Sequence, residues 1–263
     1  MSKRRFFKTI RILFLLFVLL IVGGDYYLTK LRTTDWDLPL QMVIYPINGD
    51  GSQHVDDYIS QLTVDTFKPI EAFMQGEASA FKLPLTQPVY VVLGDPIKQL
   101  PPKPPMERNM LNVMWWSLKM RYWAHEMDTY QGPASDIRMF VVYYDPTSQQ
   151  HLSHSLGLQK GLVGVVNGFA DKKQQAQNNI VITHEMLHTV GATDKYNLEN
   201  GDPVYPVGYA DPDKKPLYPQ KLAEIMAGVI PISEDRWQRP TGFDQVVIGF
   251  DTAEEINWKI PKQ

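Results

Sequence analysis

Residue types that hold a metal ion and one that moves a proton fall within the stretch His184-Glu185-Met186-Leu187-His188-Thr189-Val190-Gly191-Ala192-Thr193-Asp194. On a helix, positions i and i+4 share a face about 6 Å apart along the axis, so His184 and His188 can present both imidazoles to one ion. Glu185 projects beside them, within reach of a proton on a water at that ion without being a ligand itself. Ile180, Val181 and Ile182 form an apolar helical run ahead of the pair, and Gly191 stands where a left-handed residue would end the helix. A sharp turn there brings Asp194 round to complete a set of His, His and Asp ligands, with a further position left for water. The chemistry of such a set is zinc-dependent hydrolysis.

Glu199 and Glu224 compete as third ligand, since a glutamate offers the same kind of oxygen donor. Asp194 is preferred because Gly191 gives the chain a physical route back to the ion. Tyr196, Tyr205, Tyr209 and Tyr218 lie downstream of the ligands, where a phenol can stabilise an oxyanion or coordinate the metal. Their sequence positions do not separate them. Asp202, Asp211 and Asp213 lack the regular oxygen spacing of a calcium loop and read as surface charge.

The motif resembles that of the metzincin metallopeptidases, HExxHxxGxxH or, in the snapalysin-like branch, HExxHxxGxxD, and the chain meets the Asp version at every specified position. The resemblance implies a methionine turn beneath the metal, for which Ala223-Glu224-Ile225-Met226-Ala227-Gly228 is the counterpart; ordinary core packing of Met226 is the alternative. It implies that the strand just before the metal helix, Gly161 to Asn167, is a sheet edge along the cleft, where an extended peptide pairs through its backbone. His151 and His154 occupy the place where several metzincins carry a structural metal. No fourth ligand accompanies them, and two histidines in a polar loop are ordinarily solvated.

The elements that must position these residues follow from hydrophobic period. Gln41 to Ile47, Pro88 to Gly94, Ile137 to Tyr144 and Leu162 to Val166 read as strands. Helical spacing runs from Gln53 to about Gln75, with Pro69 able to kink or end it, and from Asn109 to Met127. Trp115, Trp116 and Trp123 on that second helix read as core or interface aromatics rather than a ligand platform. Pro96 to Pro105 contains five prolines and reads as a stiff connector. The metal helix begins near Gln174, and a last helix from about Thr252 to Trp258 is expected with Asp251 as its cap. Strand, long helix, strand, inserted helix, strand, strand and metal helix give an α+β fold. The expectation is a zincin or metzincin-like architecture: a twisted mixed sheet, a long metal-binding helix and a small irregular C-terminal subdomain.

The chain has 263 residues, 44% of them hydrophobic, which suits a single sizeable domain. With no cysteine, thiolate ligands, disulfides and cysteine nucleophiles are excluded, so a metal site must be built from His and carboxylates. Lys3, Arg4, Arg5, Lys8 and Arg11 precede the apolar run Ile12 to Val22, the pattern of an export signal. Val22-Gly23-Gly24 is a mediocre cleavage site, so residues 1–28 are read as an uncleaved single-pass anchor in preference to a cleaved signal peptide. Residues 29–263 then form the catalytic domain outside the cytoplasm. Without those five bases the balance is 21 basic against 29 acidic residues, or −8, which argues against a nucleic-acid partner.

The resulting expectation is an exported, membrane-anchored zinc peptidase acting on a peptide or protein substrate. Zn2+ on His184, His188 and Asp194 would acidify a water, and Glu185 would take its proton and return it to the leaving amine. The alternatives are a zinc-containing envelope protein that only binds, and a zinc amidase acting on cell-wall peptides. Glu185 argues against the first, since a structural zinc needs no neighbouring base.

Overall fold

Leu40–Asn48 (β1) is an almost unbroken apolar run, and it is buried along nearly its whole length, as a strand covered on both faces must be. In a computed structural model it lies inside a mixed sheet of five strands, ordered β2-β1-β3-β5-β4, where β2 is Val89–Leu93, β3 Ile137–Tyr144, β4 Leu156–Leu158 and β5 Val163–Phe169. The pairs β1–β2, β1–β3 and β3–β5 are parallel, and β4 runs antiparallel to β5. The structure describes residues 7, 11–14, 16, 17, 20, 23, 24, 32–105, 109–149, 151–159 and 161–258.

Alternate residues of the sheet feed two cores. Met42 and Ile44 of β1, Met139 and Val141 of β3 and Val166 of β5 share one core with helices Gln53–Ser60 (α1), Lys68–Ala80 (α2) and Gln175–Val190 (α4). Val43, Tyr45, Phe140 and Val142 meet Met120, Trp123 and Ala124 of Met110–Glu126 (α3) in the other. The fold is therefore α+β with helices on both faces, as the element order implies. Beyond Gly191 the chain is largely irregular. It contains the short parallel pair Ala223–Glu224 (β6) and Val246–Val247 (β9), the hairpin Ile230–Ser233 (β7) with Arg236–Gln238 (β8), and the helix Phe250–Glu255 (α5). Trp258 closes this part, fully buried edge-on against Trp36, whose indole N–H donates to Ile256 O at 2.7 Å.

Several expectations need correction. The single helix expected from Gln53 to Gln75 is two, with a 3-10 turn at Val64–Phe67 between them; Pro69 lies in the first turn of α2, where its missing N–H is no loss. The last helix begins at Phe250 with Gly249 as its cap, so Asp251 sits in the first turn instead of capping it. The strand expected over Gly161 to Asn167 is not the sheet edge, because the three residues of β4 lie outside it. Of the tryptophans, Trp123 is core, Trp116 donates to Pro102 O at 2.9 Å, and Trp115 is exposed.

The transmembrane helix, the signal anchor and the single-pass location outside the cytoplasm are likewise corrected. Among the described residues no helix is long and apolar enough to cross a membrane. The physical reason is reach: the eleven residues from Ile12 to Val22 rise about 16 Å as a helix, against a hydrocarbon core of about 30 Å. Most of residues 1–31, on which that expectation fell, lie outside the described residues.

Candidate metal centre

The motif helix α4 ends on Gly191, which adopts φ +120°, a conformation open to glycine and strained for other residues. The Gly191 N–H donates to His188 O and the Ala192 N–H to Leu187 O, closing the helix with a reversal of the chain. That reversal has two consequences for the site. It brings the Ala192 carbonyl to the His188 ring, where it accepts from Nδ1 at 2.8 Å, and it returns Asp194 to the helix.

A carbonyl can only accept, so the 2.8 Å contact fixes the His188 proton on Nδ1 and leaves the Nε2 lone pair free. The same holds for His184, whose Nδ1 lies 2.9 Å from Ile225 O. Both Nε2 atoms then point at one spot, 3.1 Å from each other, with Asp194 Oδ1 at 3.3 Å from His184 and 3.0 Å from His188. Ligand atoms of the three residues lie within 4.8 Å of one another, and the side chains are 13%, 17% and 30% exposed. Backbone carbonyls holding the far nitrogen are the usual way in which metal-binding imidazoles are oriented.

Asp194 is fixed through both neighbours. Glu255 of α5 accepts from the Thr193 N–H at 2.8 Å and the Thr193 hydroxyl at 2.7 Å, and from Lys195 Nζ at 2.5 Å. Lys195 is itself buried, and its N–H donates to Met226 O at 3.0 Å. Burial acts against the Asp194 charge, but the adjoining imidazole edges of His184 and His188 outweigh it and hold the carboxyl well below the usual range. Burial likewise opposes charge on His184, and its contacts with Asp194, Glu185 and Ile225 O outweigh it and raise its pKa.

Glu185 stands in a different environment from Asp194. It is 6% exposed, and its Oε2 has no hydrogen-bond partner among the described residues. Burial raises its pKa, with His184 and His188 pulling the other way. An orphaned carboxylate oxygen buried beside two free imidazole lone pairs fits a site where a metal ion and its water complete the polar contacts. The donor set of imidazoles and a carboxylate, without sulfur, suits zinc.

The edge strand β4 borders the site. A Cβ on Gly157 would come within 2.4 Å of Glu185 O and 2.6 Å of His188 Cβ, so the absence of a side chain lets the strand press against the metal helix. Tyr196 is the tyrosine that reaches the site. Burial, the charges of Asp194 and Glu185 and a hydrogen bond to Asp194 push its pKa up to about 12. Tyr209 and Tyr218 bond to each other at 2.9 Å, and Tyr205 is exposed.

The remaining candidates fall elsewhere. Glu199 is exposed in a turn built on Asn197. Glu224 is fully buried with both oxygens committed to other donors, so neither competes with Asp194. His151 and His154 are exposed and join no group of three metal-binding side chains among the described residues. Asp202 accepts from Asn200 and Asp211 bonds to Gln220 through its backbone. The turn around Met226 lies against His184 through the Ile225 carbonyl, and Met226 is fully buried. Sequence reasoning missed the roles of Gly157, Lys195 and Glu255; the isolated glycine in a short apolar segment was the one local signal. No protein-family model matches the chain, and no curated protein matches it.

Proposed function

We propose that this chain is a zinc-dependent peptidase of the metzincin type, hydrolysing peptide bonds with Glu185 as general base. The observation that carries this reading is the convergence of two imidazole lone pairs and the Asp194 carboxylate beside a buried carboxylate oxygen with no partner. The order of strands and helices leading into α4 supports the resemblance of the motif at the level of the fold. The place of β4 at the end of the sheet supports a peptide substrate, because an edge strand that borders the site offers backbone groups to an extended chain.

Held by His184, His188 and Asp194, zinc would supply Lewis-acid chemistry, polarising the scissile carbonyl and acidifying a water in its remaining position. Glu185 accepts the proton of the attacking water through Oε2 and delivers it to the departing amine, so that the C–N bond breaks as a neutral amine leaves. The Tyr196 hydroxyl stays protonated at neutral pH and, on turning away from Asp194, can donate to negative charge developing on the carbonyl oxygen. Asp194 would supply the anionic member of the ligand set, its carboxyl being held below the usual range beside His184 and His188.

Incubation of the zinc-loaded chain with peptide libraries, alongside Glu185→Gln, tests the assignment. The expected result is cleavage by the parent protein and a loss of at least about a hundredfold in the variant. A zinc-bound parent that cleaves no peptide would transfer the site to a binding role.

A further inference from the structure

Glu224, beyond Gly191 in the irregular C-terminal part of the chain, is fully buried, and both oxygens of its carboxylate accept hydrogen bonds. Its Oε2 accepts from the backbone N–H of Met226 at 2.7 Å and of Ala227 at 3.0 Å; its Oε1 accepts from the Gly249 N–H at 3.1 Å and the Thr252 hydroxyl at 2.7 Å. Its own carbonyl receives the N–H groups of Ala227 and Gly228, and Gly228 takes φ +70°. The 224–228 segment is thus a tight turn wrapped round one carboxylate.

The carbonyls that this turn directs outward go to the candidate metal centre. Ile225 O accepts from His184 Nδ1, and Met226 O accepts from the N–H of Lys195, the residue next to Asp194. We propose that Glu224 is a positioning residue for the centre, holding the turn so that Ile225 O fixes the His184 tautomer and Met226 O fixes the segment carrying Asp194. The proposal rests on the metal-site reading for its purpose, while the geometry it explains does not.

The donor count explains why this position needs a glutamate. Four hydrogens converge on two oxygens, so an amide would turn its NH2 toward two of the donors, losing both bonds and adding repulsion. An aspartate is one methylene too short to bridge the turn and the start of α5. Glu77 provides the contrast, a half-buried carboxylate that accepts from the Ile248 N–H at 2.7 Å and, among the described residues, makes no hydrogen bond to the turn.

Glu224→Gln, Thr252→Val and Glu77→Gln, made in the whole chain, test this by three readouts: zinc Kd by competition with a chelator, the ring-nitrogen NMR shifts of His184 in the metal-free protein, and Tm. Glu224→Gln should weaken zinc binding by about 10- to 100-fold and release the His184 proton from Nδ1. Thr252→Val, which removes one of four donors, should shift both severalfold less in the same direction. Glu77→Gln should leave both unchanged whatever its Tm. A Glu224→Gln protein with lowered Tm, zinc affinity within twofold of the parent and an unmoved His184 tautomer would overturn the proposal. If Glu224→Gln does not fold, Thr252→Val decides by the same two signals. If the parent binds no zinc, the metal reading fails, and the tautomer alone decides: its loss in Glu224→Gln upholds the positioning role and its persistence refutes it.

Discussion

Replacing Gly191 with alanine should weaken the fold and the metal centre together, because one residue both ends the helix and orients a ligand. The backbone at φ +120° lies in the left-handed half of conformational space, where a Cβ costs about 1–2 kcal/mol. The added Cβ would also stand 3.2 Å from Glu255 O and from Gln159 Nε2, closer than comfortable packing, so the chain must shift as well as strain. A total near 2 kcal/mol corresponds to a Tm lower by roughly 4–8 °C in a domain of this size. The shift acts on the Ala192 carbonyl, which holds the His188 proton on Nδ1. Loss of such an orienting bond typically costs 10- to 100-fold in metal affinity. Thermal melts of the metal-free protein and chelator competition for zinc read the two effects separately. An unchanged Tm would refute the strained turn. A lowered Tm with unaltered zinc affinity would refute the link between that turn and His188.

Three further substitutions probe the centre from its other sides. Glu185→Gln should lower hydrolysis at least about a hundredfold yet raise the Tm of the metal-free protein by a few degrees, on the order of 1 kcal/mol, since a buried charge with one oxygen lacking a hydrogen-bond partner is removed. Because burial raises the Glu185 pKa, its ionisation costs stability as pH climbs through that value, so the gain should be largest at neutral pH and vanish in acid. Asp194→Ala should abolish tight zinc binding while Glu199→Ala leaves it intact; isothermal titration of both variants decides, and the reverse outcome would remove Asp194 from the site. Glu255→Gln should cost about 1–3 kcal/mol at pH 7 by leaving buried Lys195 without its carboxylate. Its pairing with Lys195 and Thr193 overcomes burial and lowers the Glu255 pKa, so that stability is present above the ordinary glutamate range and fades as pH falls below it. Denaturant melts should therefore show the gap between parent and Glu255→Gln closing in acid.

What the sequence reveals here is what short-range chemistry encodes. His184, His188 and Gly191 belong to one helix and its end, and strands such as Ile137–Tyr144 announce themselves by runs rich in β-branched and aromatic residues. Asp194 was legible because a glycine just before it fixes the direction of the chain. The edge strand Leu156–Leu158 was not, since three residues around a glycine are too short to show alternation and its place is set by contact with α4. The support of Asp194 by Glu255, about 60 residues away in sequence, and of His184 by a turn built on Glu224, about 40 away, arises from tertiary packing that no local pattern carries. Glu224 competes with Asp194 on paper for the same reason: a carboxylate's partners decide its role, and the Gly249 N–H and Thr252 hydroxyl that occupy one of its oxygens are distant in sequence. The apolar run after Arg11 shows the opposite error, in which a local pattern too short to span a bilayer was extended through its polar flanks.

The proposed function requires that His184, His188 and Asp194 hold a single zinc ion with one position left open. X-ray absorption at the zinc edge, paired with elemental analysis of the 263-residue chain, measures this directly. The expected result is one zinc per chain, four-coordinate, with imidazole nitrogens at about 2.0–2.1 Å and no sulfur. A metal-free protein whose melting is unaffected by added zinc, or a site that prefers iron and leaves Glu185 without a task, would contradict it.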